Sequence, residues 1–163
     1  MKHEDIASQL LKLMPQLWAF AWRISGTEHE AEHVLGQSFR RAFEFPADLL
    51  RGPFKMRMFA LIYTIWLHGG DKREPMREPG DALIENADDR AHRTVVNALG
   101  RLPDEQRISM LLVAVEGFSY ADTAFILGVP VGTLIAQVAE ARLVIGAASQ
   151  LDASSQAASG ADG

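Results

Sequence analysis

A chain of 163 residues with 48% apolar content is long enough for one domain, or two very small ones, and apolar enough for a real core. It has no Cys, which excludes disulfides and thiolate metal sites and suits a reducing cytoplasm; no run of 18 apolar residues is present to span a membrane. The net charge of −5 counts against a free-standing nucleic-acid binder, which is ordinarily basic.

Lys2, His3, Glu4 and Asp5 open the chain, and no small-residue cleavage site follows a long apolar run, so no secretory leader is expected. From Ile6 to Ile24 apolar residues recur at helical spacing through Leu10, Leu13, Leu17, Phe20 and Ala21. Pro15 should kink this helix or start a fresh one. Gly26 closes it. Thr27, with Glu30 three residues on, forms a capping box for a second helix over about Glu28 to Phe43. Phe45-Pro46 ends that helix.

Within the second helix, His29-Glu30-Ala31-Glu32-His33 spells H-E-x-x-H. Two His at i and i+4 share a helix face and can hold zinc, with the Glu as general base. The site needs a third ligand. His3, His68 and His92 show no paired spacing, and the chain is short for a protease with a lobed cleft. No metal, no cofactor and no enzymatic activity are expected.

The third helix, about Phe54 to His68, is apolar nearly all round, as expected of a helix buried on most sides or offering a face to a partner. Residues 69–88 then mix Gly, Pro and charge without period and read as a linker. Periodicity returns in "RAHRTVVNALGRL" from about Arg90, and "PDEQRISMLLVAVEG" starts at Pro103 and ends at Gly117.

"GFSYADTAFILGVPVGTLIAQVAEAR" has the grammar of a helix-turn-helix. Ser119 caps with Asp122, Ala124 allows close crossing, and Gly128 makes the turn. Pro130 opens a second helix whose inward stripe is Leu134, Val138 and Ala141. The last stretch, "ASSQAASGADG", reads as a disordered tail. The expected fold is all-α, with three helices, a linker and four helices. A three-helix bundle occupies 1–68, a linker 69–88, a four-helix domain with the helix-turn-helix 89–147, and a tail 148–163.

The stretch 102–142 resembles region 4 of extracytoplasmic-function (ECF) sigma factors, LP-x-x-x-R … EG-[LFY]-S … A-x-x-LG-V-x-x-GTV. Leu102, Pro103, Arg107, Glu116, Gly117, Ser119, Ala124, Leu127, Gly128, Val129, Gly132 and Thr133 match it. "MPQLWAFAWRISGTEHEAEHVLGQSFRRAFEF" is similar to the family's region 2. The chain also resembles the sigma-like half of the regulator that mimics sigma factors in the bacterial general stress response. The resemblance implies an all-α transcription protein of the cytoplasm. Region 2 would meet core RNA polymerase and the −10 element, and region 4 the −35 element of promoter DNA. A mimic would instead occupy an anti-sigma factor.

By that resemblance the second helix presses on polymerase or an anti-sigma factor through His33, Val34, Gln37, Arg40 and Arg41. DNA would meet Ser119, Thr133, Ala136, Gln137, Glu140 and Arg142. The departures are telling. Where the family has D-L-V-Q-E, this chain has His33, Val34, Leu35, Gly36 and Gln37. In the recognition helix the basic positions hold Ile135, Gln137 and Glu140, and Arg142 alone remains. From residue 94 onward three Arg stand against seven acids, a net charge of −4. Since phosphate neutralisation dominates DNA affinity, this half is expected to bind duplex weakly unaided.

Overall fold

A computed structural model describes residues 2–69 and 101–159, and every regular element among them is helical. The expected linker 69–88, beyond Gly69, and the expected helix from about Arg90 lie outside the described residues.

Helix α1 spans Lys2–Ser25 and buries Ile6, Leu10, Leu17, Phe20, Ala21 and Ile24 along one face. It runs through Pro15 as one helix, where a kink or a fresh start was expected. Pro15 deprives the Leu11 carbonyl of its intrahelical donor. Pro15 is exposed and Leu11 is 72% exposed, so the break falls on the water side while the buried stripe stays in register.

Helix α2 (Glu28–Glu44) begins as expected: the Thr27 hydroxyl accepts a hydrogen bond from the Glu30 amide at 3.2 Å. Phe45 ends it, and a short helix α3 (Pro46–Leu50) follows, with Pro46 in its first turn and Leu49 buried. Helix α4 (Phe54–His68) buries Phe54, Met58, Phe59, Ile62 and Trp66. It packs on α1 and α2 on one side, which explains part of its all-round apolar character.

In the second half, α5 (Asp104–Met110) widens into a π-helical turn over Leu111–Val115. Helices α6 (Tyr120–Leu127) and α7 (Val131–Ser159) form the helix-turn-helix. Gly128 stands at φ +67°, where a side chain would be strained, and the Val129 amide donates to the Ala124 carbonyl at 3.1 Å. Leu134, Val138 and Ala141 are buried, as their spacing predicts. α6 lies against α4, so α4 has neighbours from both halves of the chain.

The expected tail is corrected over most of its length: α7 continues to Ser159. Ala is the commonest residue from Ala147 to Ser159, and its high propensity helps to extend an already nucleated helix despite the interspersed Ser.

Candidate functional site

The first surface is the outward face of α2. His33 and Gln37, one turn apart, are exposed and joined by a 2.9 Å hydrogen bond between Nε2 atoms. Arg40 and Arg41 follow, also exposed, and the Arg41 guanidinium lies 5.1 Å above the Phe45 ring. Beside this row an open cleft of about 540 Å³ separates α2 from α4, lined among others by Gln37, Arg40, Leu61, Thr64 and His68. Val34 does not belong to the face. It is 2% exposed, in the core, because it lies on the inward stripe with Ala31, Leu35 and Ala42. His29 and His33 are both exposed, and among the described residues no group of three His, Cys, Asp or Glu converges as a metal site.

Gly36 stands in the middle of this face, and a Cβ there would meet nothing within 4 Å. A helix-interior Gly is costly, so Gly36→Ala should raise stability by about 0.5–1 kcal/mol in thermal unfolding. If a partner helix lies on this row, the same methyl should weaken its binding while stabilising the chain. A variant that is less stable than the parent would contradict the open geometry.

The second surface is the helix-turn-helix. Ser119 is engaged as a cap, its hydroxyl accepting from the Asp122 amide at 3.1 Å. Thr133, Ala136, Glu140 and Arg142 are exposed. Gln137 is not free to read a base edge. It is half-buried against α5, where its Oε1 accepts from the Ser109 hydroxyl at 3.0 Å and its Nε2 faces Glu105 at 3.4 Å. Gln106 donates to Glu140 at 2.7 Å, tying a second readout position to α5.

Arg107 is unavailable to phosphate as well. It is 2% exposed and lies 3.1 Å from the Asp104 carboxylate. Arg101 and Arg142 are therefore the exposed cations among the described residues of this half. The outward face of α7 is instead apolar, with Ile135 48% and Leu143 75% exposed, Ala139 between them, and Gly132 and Gly146 on either side.

A third feature was not anticipated from sequence. Glu116, Gly117 and Phe118 join the π-helical turn to α6, with Gly117 at φ +74°. Glu116 turns back to Arg23 of α1, 3.6 Å away, and its side chain is only 8% exposed. Burial pushes its carboxyl above the ordinary value, while Arg23 and Lys55 pull it down.

The sign of that shift makes a prediction. A carboxyl raised in the folded state binds its proton more readily there than in the unfolded chain. Its contribution therefore becomes more favourable as pH falls through the folded value towards the unfolded one near 4.3. Glu116→Gln, which is neutral and of the same shape, should be at least as stable as the parent at pH 7. That advantage should disappear towards about pH 4.5, as followed by thermal unfolding across pH. A variant deficit that is largest at pH 7 would mean the Arg23 pair outweighs burial.

Known proteins share this architecture. Residues 92–143 match the family model described as Sigma-70, region 4. The chain is 30% identical to the ECF RNA polymerase sigma factor EcfG of Rhodopseudomonas palustris, over 91% of this chain and 87% of that protein. The fold is similar to that in the co-crystal structure of the sigma factor RpoE with the anti-sigma factor NepR from Bartonella quintana. There the TM-score is 0.73 at 22% identity, covering 91% of this chain and 99% of that one. It is similar too to the PhyRSL–NepR complex from Sphingomonas sp. Fr1, with a TM-score of 0.67 at 20% identity and 88% of each chain covered. In the sequence Glu116-Gly117-Phe118 is legible only as part of the region 4 motif, and nothing local points to Arg23 or Lys55 as its counterparts.

Proposed function

Because the chain belongs to the ECF RNA polymerase sigma factor family, we propose that it acts in bacterial transcription initiation as a non-enzymatic, cytoplasmic, cofactor-free sigma-type subunit. Its first half engages core RNA polymerase through the exposed row His33, Gln37, Arg40 and Arg41 of α2. That half also carries the −10 contact. The second half lies over the −35 element through Thr133, Ala136, Glu140 and Arg142 and adds little affinity of its own. The observation that supports this reading best is the α2 row beside its open cleft. Two exposed cations, an amide and an imidazole flank apolar Leu61, a mixed surface suited to a protein partner.

One observation favours a second reading, a sigma mimic that occupies an anti-sigma factor and does not bind DNA. The outward face of α7 is apolar where DNA contact calls for cations. Two solved relatives in fold are complexes with NepR, one of a sigma factor and one of PhyRSL. Affinity capture with the tagged full chain from a lysate of its own cells separates the two. Recovery of the large polymerase subunits supports the sigma-type subunit. Recovery of a small anti-sigma protein without polymerase replaces it with the mimic.

A further inference from the structure

The apolar core runs on from the first half into the second where α4 packs against α6. At its rim lies a cavity of about 160 Å³. Its apolar walls are Phe45, Leu49, Leu61 and Phe125, and two cations, Arg41 and Arg57, line it as well. Each cation is set over a ring of the same cavity. The Arg41 guanidinium stands 5.1 Å from the Phe45 centroid, and that of Arg57 stands 5.6 Å from the Phe125 centroid.

The place of Arg57 is fixed by its surroundings. Its Nη1 donates to the Asp48 carbonyl at 3.1 Å. A Cβ on Gly52 would come within 2.9 Å of its Nε, so the bare Gly leaves the room in which the guanidinium lies. That Nε is buried and has no acceptor in the protein. An unmet buried donor is costly and calls for an explanation. Among the described residues no carboxylate forms an ion pair with Arg41 or Arg57. Asp48 also lines the cavity, but it is exposed, so water screens its charge, and its bond to Arg57 is made by the backbone.

We propose that this cavity binds a small aromatic carboxylate, with the ring among Phe45, Leu49, Leu61 and Phe125 and the carboxylate held by Arg41 and Arg57. Size sets the first limit. An apolar cavity of about 150 Å³ accepts one benzene ring, so a single ring fits here and a fused nucleotide base does not. Charge sets the second. Two Arg against one Asp leave one positive charge, which suits a monoanion better than a phosphate dianion. The planar guanidinium matches a carboxylate through paired hydrogen bonds, and stacking on a ring holds it ready for them. The site goes beyond the sigma-type reading and holds whichever protein α2 meets.

Benzoate is the probe, with acetate as the charge without the ring and benzamide as the ring without the charge. Amide NMR of the full chain should show saturable binding of benzoate with a Kd on the order of 1 mM, as befits so small a ligand. The shifts should centre on Leu49, Arg57, Leu61 and Phe125. Acetate and benzamide should each bind about 10-fold more weakly or worse, since each lacks one of the two interactions. Arg57→Gln should weaken benzoate by about 10-fold or more through the lost charge-assisted bonds. Arg41 is exposed, so Arg41→Gln leaves the fold alone and should weaken binding in the same direction. Ala60 lines the cavity too, and Ala60→Leu should abolish binding by filling it while both cations stay. Absence of saturable shifts up to about 20 mM benzoate overturns the site. So do shifts scattered over the surface, acetate binding as well as benzoate, or binding that survives both Arg41→Gln and Ala60→Leu.

Discussion

Placing cations at Ile135→Lys, Ala139→Arg and Glu140→Arg should convert a chain expected to bind duplex only weakly unaided into a salt-sensitive DNA binder. The parent lacks the electrostatic anchor. Arg101 and Arg142 are the exposed cations among the described residues of its second half, and Arg107 is buried beside Asp104. Three new phosphate contacts should raise affinity on the order of 10²–10³-fold at about 50 mM salt. They should also steepen the log–log salt dependence by roughly three units. Gln137 is left alone because its bond from Ser109 belongs to the packing of α5 on α7. Fluorescence anisotropy with a labelled duplex, titrated over salt, reads both quantities. Tight, sequence-specific binding by the unmodified chain near 150 mM salt would refute the charge argument and establish the −35 contact. A triple variant that gains nothing would show that α7 does not present this face to a groove.

What the sequence revealed, and what it hid, follows the range of the interactions involved. Thr27, Ser119 and Gly128 act within three or four residues of themselves, and each is found doing what its local pattern predicts. The inward stripe Leu134, Val138, Ala141 was readable for the same reason: one helix face repeats every three to four residues. The family motif puts Val34 on the binding face, whereas its period with Ala31, Leu35 and Ala42 turns it inward. Gln137 sits at the edge of the buried stripe, and only α5, some 30 residues earlier, decides which way it turns. The contacts between the two halves of the chain were nearly illegible. Lys55 and Phe118 are 63 positions apart, and a cation over a ring leaves no periodic trace. The all-round apolar pattern of α4 was the one hint, since a helix with neighbours on opposite sides has little need of a polar face.

Phe59→Ala should cause the largest loss of stability of any substitution considered. Phe59 is fully buried, with its ring 4.7 Å from Phe20 of α1 and 5.0 Å from Phe118. Truncating a buried Phe costs about 3–5 kcal/mol, through lost transfer energy and the cavity left behind. Against a typical total of about 5–15 kcal/mol, that is a large share. For a chain of this size it should lower the melting temperature by roughly 10 °C or more. Phe118 also packs against this ring but is only half-buried, so Phe118→Ala should cost clearly less. The two substitutions therefore report on different things. Phe59 holds α4 to α1 within the first half, and Phe118 holds the second half to α4. Thermal unfolding followed at 222 nm should show Phe59→Ala melting well below Phe118→Ala. Equal losses would mean that Phe59 stabilises the chain mainly through its contact with Phe118, and that the first half does not depend on its contact with Phe20.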